Sequence, residues 1–238
     1  MNYGLIFVIV IGTFLFLAAI LRNILVQKRT HAWKRVATEL GLTYFGMDND
    51  LLARFRPFHL FQEAMRHRAK FIEGIGGHVG SREIIIADLN VPPSAVSRQN
   101  KWQAMTICAV SDPNVHLPYC LLRPQAPIFD SIGKLFGKQD IDFLGDLEFS
   151  QAFVLQGSSE PSIRGLFTAE LRRWFVENQH KHLYFEGNQN VILLHRHKMI
   201  SPQDARILIE DALDIHKLVW SEAVPVSSEK GLARSNST

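Results

Sequence analysis

Two histidine pairs in the C-terminal third of the chain have a spacing that suits a metal ion. His195 and His197 are separated by one residue, as are His180 and His182, and Glu186 lies between the two pairs. Residues at i and i+2 of a strand share one face, and imidazole nitrogen is a common zinc ligand. A basic residue stands inside each pair, however, and its charge opposes a bound cation. A metal-dependent enzyme built on these histidines is therefore kept as an alternative hypothesis.

The most acidic stretch offers a second, weaker set of metal-ligand candidates. Asp140 and Asp142 are two residues apart, and Asp146 and Glu148 follow. Carboxylate oxygens suit Mg²⁺ and Ca²⁺, but the stretch lacks the spacing of an EF-hand loop. Helix caps and turn hydrogen bonds are the ordinary use of aspartates in such a segment. We predict no bound metal or other cofactor.

Other catalytic and nucleotide-binding motifs are excluded by their context. The glycines between residues 74 and 80 precede a strand-like run, Glu83-Ile-Ile-Ile-Ala87, whereas a phosphate-binding loop leads into a helix. The sequence contains neither Gly-x-Ser-x-Gly nor His-Glu-x-x-His. Cys108 and Cys120 both lie in apolar runs, which favours buried free thiols over nucleophiles. These observations favour a protein that is not an enzyme.

The N-terminal segment predicts a membrane anchor over residues 1–27. Leu5 to Leu21 contains no charged residue, and a helix from Tyr3 to Val26 would be about 36 Å long, enough to cross a hydrocarbon core of about 30 Å. A cleaved signal peptide is the competing interpretation. It is disfavoured because the first four residues carry no basic side chain and no small-residue cleavage site follows.

Basic residues follow the apolar segment on its C-terminal side. They are Arg22, Lys28, Arg29, Lys34 and Arg35, and we predict that they contact the membrane surface. The positive-inside rule then places the N-terminus outside and the C-terminal domain in the cytoplasm, as a single-pass protein of the cell (inner) membrane. A net charge of +3 is too small to indicate nucleic acid as a partner. The expected partners are the lipid bilayer and a protein at its surface.

Residues 28–41 predict a basic amphipathic helix that continues from the anchor. Trp33, Val36, Ala37 and Leu40 recur at helical spacing, and Gly41 is a typical residue at the end of a helix. A continuous helix of this kind would lay its apolar stripe on the domain. The domain would then be held close to the lipid with little free linker.

Residues 42–220 predict one α+β domain, and residues 221–238 a disordered polar tail. The predicted fold is a mixed, largely antiparallel sheet with two to four packed helices, because hairpins are followed by helices without regular βαβ alternation. Specific predictions are a strand over Phe58–Phe61, a helix over Pro127–Phe136, a helix whose apolar face runs from Ile163 to Phe175, a hairpin turn at Gly187-Asn-Gln, and a last helix that begins at Ser201.

Two short segments resemble a group of uncharacterised bacterial proteins. The segments are Trp33-Lys-Arg-Val-Ala-Thr-Glu-Leu-Gly-Leu42 and Gly137-Lys-Gln-Asp-Ile-Asp-Phe143, with a proline-bounded strand over Leu117–Pro124 between them. The resemblance implies an N-terminal membrane helix and a soluble domain. It implies no activity, since none is assigned to the group.

The leading hypothesis is a membrane-tethered, non-enzymatic module that faces the cytoplasm and binds a protein or peptide. The alternatives are the histidine-based metal enzyme described above and a module that contacts anionic lipid through its basic residues.

Overall fold

The chain begins with one long helix, α1, over Tyr3–Leu40. It belongs to a computed structural model that describes residues 3–66, 70–91, 103–125 and 140–223. At 38 residues, α1 is about 57 Å long. It ends at Gly41, whose φ of +67° is the left-handed conformation typical of a glycine after a helix. The predicted continuous helix is therefore confirmed.

The first half of α1 stands clear of the other residues that the structure describes. Its large apolar side chains from Phe7 to Val26 are exposed, between 42% and 70% of their surface. Among the described residues, α1 is the one helix long and apolar enough to cross a membrane, with a mean hydropathy of 2.3 in its most apolar window. This half is the candidate membrane span.

Eight strands form a single sheet in which every neighbouring pair is antiparallel. The order across the sheet is β1-β2-β3-β4-β8-β7-β5-β6. The strands are β1 (Thr43–Phe45), β2 (Lys70–Val79), β3 (Arg82–Val91), β4 (Gln103–Ser111), β5 (Leu117–Pro124), β6 (Phe153–Gly157), β7 (Tyr184–Gln189) and β8 (Val191–His195). The predicted α+β class with a largely antiparallel sheet is confirmed.

Helices cover both faces of this sheet. They are α2 (Asn49–Arg54), α3 (His59–Arg66), α4 (Leu147–Ala152), α5 (Glu160–Leu166), α6 (Ala169–Glu177) and α7 (Ala205–Ala223), with short 3₁₀ turns at Gln179–Lys181 and Pro202–Asp204. The second half of α1 shares one apolar core with α4 to α7. On the opposite face, α2 and α3 form a second core that includes Phe55, Phe61 and Phe71.

The predicted strand over Phe58–Phe61 is wrong, because these residues lead into and begin helix α3. Phe58 and Phe61 are both buried against the sheet, and their spacing of three residues also fits one face of a helix. In a short aromatic run, the strand and helix periods cannot be separated by sequence alone.

The predicted helix along Ile163–Phe175 is two helices, α5 and α6. Phe167 ends the first, and Thr168 caps the second by accepting a hydrogen bond from Leu171 N–H at 3.3 Å. The last helix, predicted to begin at Ser201, starts with the 3₁₀ turn Pro202–Asp204 and becomes α-helical at Ala205, and the Ser201 side chain makes no capping hydrogen bond.

The hairpin turn predicted at Gly187 lies further along the chain. Gly187 is inside β7 and pairs with both Cys120 and Ile192, while Gln189 takes the positive φ of 53° needed at the turn. The predicted helix over residues 127–136 lies outside the described residues. So does most of the predicted polar tail, from residue 224 onward.

Candidate functional site

A buried carboxylate joins α1 to the sheet. Asp88 on β3 is fully buried and accepts hydrogen bonds from two nitrogens of Arg29, at 2.7 and 2.8 Å. It also accepts one from the indole N–H of Trp33, at 3.0 Å, and one from the hydroxyl of Thr106, at 2.6 Å. A buried charge is tolerable only when paired and hydrogen-bonded, and Asp88 has four such contacts.

A second carboxylate reinforces the same junction. Glu73 on β2 is 4% exposed and accepts hydrogen bonds from Thr30 of α1, at 2.7 Å, and from the hydroxyl of Tyr44, at 3.1 Å. Trp33 is completely buried, as is most of Val36. Together these contacts fix the direction of α1 relative to the sheet, and we call them the helix mount.

Arg29, which is predicted to contact the membrane surface, is part of the helix mount. Its guanidinium binds Asp88 and also donates to the carbonyl of Ile200 at 2.9 Å. The other four basic residues are exposed on the surface of α1. They are Arg22, Lys28, Lys34 and Arg35. The ammonium of Lys34 stands 5.1 Å from the ring centre of Tyr44, a cation–π distance.

The four histidines do not assemble as a metal site. His195 is buried at the end of β8, where its ring stacks on Tyr184 at 4.9 Å and meets His197 edge-on at 4.5 Å. His180 and His182 are exposed and lie on the 3₁₀ turn and its end rather than on a strand. Within the described ranges, no group of three or more potential ligands is placed to hold a metal ion.

The charges around these histidines also have structural explanations. Burial lowers the pKa of His195 well below its ordinary value, so this ring is neutral at physiological pH. Lys181 and Arg196, whose charges stand beside the histidine pairs in sequence, both bind Asp211 of α7, at 2.6 and 3.1 Å. The basic residues thus fasten the helix to the sheet.

Asp140 and Asp142 are both exposed and have structural contacts. The carboxylate of Asp140 accepts a hydrogen bond from the Gln156 side chain at 2.7 Å. The backbone carbonyl of Asp142 accepts one from Arg164 at 2.8 Å. These contacts hold the segment before α4 against β6 and α5.

Both cysteines are fully buried free thiols. Burial raises the pKa of Cys120 to about 12 and that of Cys108 further still. A protonated, inaccessible thiol is a poor nucleophile, so these side chains serve as small apolar groups in the core.

A cleft opens at the end of the sheet that lies away from the candidate membrane span. Its volume is about 420 Å³, and it is formed by the segments that join α2 to α3, β2 to β3, β4 to β5 and β7 to β8. The residues that line it are Arg54, Pro57, Phe58, His78, Ser81, Glu83, Ser111, Pro113, Asn188, Gln189, Asn190 and Val191.

The position of this distal cleft follows from the strand register. Asp88 marks the helix mount on β3, and Glu83 marks the cleft on the same strand, five residues or about 17 Å away. Glu83 accepts hydrogen bonds from both terminal guanidinium nitrogens of Arg54, which lowers the pKa of the carboxyl group. Side-chain amides and hydroxyls on the rim leave donors and acceptors available, a lining suited to a polar chain such as a peptide.

Sequence reasoning named Glu186 only as a neighbour of the histidine pairs, and it did not identify Asp88 or Glu73. Glu186 of β7 accepts hydrogen bonds from the backbone N–H groups of His59 and Leu60, at 2.6 and 3.0 Å, and so caps α3 from across the sheet. Burial raises its pKa to about 7. Asp88 and Glu186 carried one available signal: each is an acid within a strand of apolar neighbours, and such a residue needs a partner.

Comparison with known proteins bears on the fold. No family model matches the sequence, and no curated protein matches it. A solved structure of similar fold is the crystal structure of the mycobacterial trehalose monomycolate transport factor A, TtfA. The TM-score is 0.54 at 12% sequence identity, and the match covers 84% of this chain and 98% of that chain. The chain therefore shares the overall fold of TtfA.

Proposed function

We propose that this protein is a membrane-anchored, non-enzymatic module that binds a protein or peptide partner through its distal cleft. The domain would face the cytoplasm, because the basic residues near α1 all follow its apolar segment. The partner would be a component of a process located at the membrane.

One observation carries this proposal: the candidate membrane span and the cleft are opposite ends of one rigid unit. Asp88 and Glu73 fasten α1 directly to β2 and β3, and the same two strands end at the cleft. No flexible linker separates α1 from the sheet, since β1 begins three residues after α1 ends. A rigid unit of this kind presents the cleft at a fixed height above the bilayer.

The chemistry of the described residues supports binding rather than catalysis. The buried histidine His195 is neutral and packed between aromatic rings, and the two thiols are enclosed in the core. The cleft holds an ion pair, side-chain amides, hydroxyls and prolines. These groups recognise backbone and polar side chains without reacting with them.

The likeness to TtfA gives further support of a general kind. TtfA is named as a transport factor for trehalose monomycolate. Because the sequence identity is 12%, we extend to this chain only the idea of a transport factor, without the cargo of TtfA.

Adjacent positions on β2 allow a matched test. His78 and Val79 are both exposed, but only His78 lines the cleft. The two differ because neighbouring side chains on a strand point to opposite faces of the sheet. A photo-crosslinking amino acid would be placed at position 78 or 79 of the full-length chain in its native membrane. We expect position 78 to cross-link one specific protein that position 79 does not reach.

The tryptophan variants complete the test. His78→Trp fills part of the cleft, and we expect it to lower the affinity for the cross-linked protein by about tenfold or more, equivalent to ~1.4 kcal/mol. Val79→Trp should leave the affinity unchanged. Equal cross-linking from both positions, or full retention of the partner by His78→Trp, would exclude the cleft as the binding site.

A further inference from the structure

The helix mount determines how deep the domain sits relative to a bilayer. Val26 is the last of the exposed apolar residues of α1, and Arg29 begins the contacts with the sheet. Three residues of helix correspond to a rise of only about 4.5 Å. A bilayer adds roughly 5–7 Å of polar headgroup region on each side of its hydrocarbon core. The domain surface level with Arg29 therefore lies within the headgroup region.

The start of β2 is part of that surface. Thr30 of α1 contacts Glu73, and Leu42, just past the end of α1, lies beside Gly77, so α1 and β2 run in the same direction. Residues that precede Glu73 on β2 therefore lie back toward the membrane span. Lys70 is three residues earlier, about 10 Å along the strand, which places it level with the last apolar residues of α1. From that level a lysine side chain extends its ammonium into the headgroup region. Ile72 lies where the register shifts between β2 and β3, and it is 38% exposed.

The segment after β8 reaches the same level. The carbonyl of Ile200 accepts a hydrogen bond from Arg29 at 2.9 Å, and the carbonyl of Lys198 accepts one from Thr106 N–H at 3.1 Å. Met199, between them, is 36% exposed, and the side chain of Lys198 is exposed. A second apolar side chain therefore lies beside a lysine at the height of the mount.

We propose that Lys70, Ile72, Lys198 and Met199 form an interfacial patch that rests on an anionic bilayer. Single exposed apolar residues are ordinary on a protein surface. Ile72 and Met199 differ from such residues because the helix mount holds them at the level where α1 leaves the hydrocarbon. Each of them also lies near a lysine in the sequence. Apolar side chains insert at the headgroup boundary, and lysines gain energy near anionic lipid. The domain thus has a second contact with the membrane, independent of the distal cleft.

Site-specific labelling tests this contact in the full-length protein. Ile72→Cys, Met199→Cys and the control Val79→Cys would each carry an environment-sensitive fluorophore. The native thiols of Cys108 and Cys120 are buried and need no replacement. The protein would be reconstituted in phosphatidylcholine vesicles, with and without phosphatidylglycerol, that contain a nitroxide-labelled lipid as quencher.

We expect the labels at positions 72 and 199 to be quenched by the lipid and the label at position 79, at the distal hairpin, to remain in water. Labels at 72 and 199 that are as accessible to water as the label at 79 would overturn the proposal. Protection that appears only when a membrane protein fraction is added would assign the patch to a protein partner and overturn it equally.

Variants that remove charge test the contribution of the two lysines separately. The combined change Lys70→Gln and Lys198→Gln is expected to abolish the extra quenching that phosphatidylglycerol produces. Lys217→Gln, at a lysine whose side chain is 70% exposed on α7, should leave that extra quenching intact. An anionic-lipid preference that survives in the double variant would refute the role of the two lysines.

Discussion

Replacing Asp88 by alanine is the most direct perturbation of the helix mount. The change removes the acceptor of four hydrogen bonds and leaves three donor groups, from Arg29, Trp33 and Thr106, without their shared partner. It also leaves a guanidinium charge at a part-buried position. We therefore expect α1 to loosen from the sheet and the domain to lose stability.

The magnitude follows from the burial of the two charges. Removing one partner of a buried ion pair typically costs about 3–5 kcal/mol. The Asp88 side chain is fully buried, but that of Arg29 keeps 22% of its surface exposed, so water solvates part of the freed charge. We expect the lower end of the range, about 3 kcal/mol. For a chain of this size, that loss lowers the melting temperature by about 6–12 °C.

The measurement uses the full-length protein in lipid nanodiscs. Thermal unfolding followed by near-UV circular dichroism gives the melting temperature, and hydrogen exchange with mass spectrometry reports on residues 29–40 and on β2 and β3. We expect faster exchange in both regions. Asp214→Ala is the control, since Asp214 pairs with Lys217 on an exposed surface and its loss should cost no more than about 0.5 kcal/mol. If Asp88→Ala melts and exchanges like Asp214→Ala, the helix mount does not hold the domain.

Three further predictions concern single residues of the domain. Burial raises the pKa of Glu186 from its ordinary value of 4.5 to about 7, so the folded protein binds this proton more tightly than the unfolded chain and loses stability as the pH rises from about 4.5 through 7. Glu186→Gln keeps an acceptor for the α3 cap and should show a weaker dependence of melting temperature on pH across that window. Equal dependence in the variant and the parent protein would refute the role of Glu186. Gly157→Ala would force a methyl group against the carbonyl oxygen of Tyr119 and a side-chain carbon of Ile163, so we expect a loss of about 2 kcal/mol or more in denaturant unfolding. Gly165→Ala, with open space around it in α5, should instead stabilise by about 0.5–1 kcal/mol.

The elements that the sequence predicted well are those with local causes. The uninterrupted apolar run and the stripe from Trp33 to Leu40 define α1, and Gly41 ends it, because each signal lies within a few residues of the feature it specifies. The turn of the β2–β3 hairpin also has a local cause, because Gly80 takes the positive φ of 65° at the point where the two strands join.

The candidate sites were less predictable because their partners are distant in sequence. Asp88 lies 59 residues from Arg29, and Glu186 lies 127 residues from His59. Nothing local indicates which cation or helix end meets which acid. The strand predicted around His180 and His182 is absent for a different reason. His182 takes a left-handed conformation at the end of a 3₁₀ turn, so the two side chains do not share one face of a strand.

The shared core of α1 has a consequence for how the protein matures. Trp33, Val36 and Ala37 belong to the same apolar cluster as residues of α7, near the other end of the chain. Because α1 precedes the sheet and α7 in the chain, its apolar stripe is synthesised before the residues that enclose it. The stripe stays uncovered until the sheet and α7 have been made. The core around α1 can therefore close only late in synthesis, with α1 as a surface already present for the last elements to pack on.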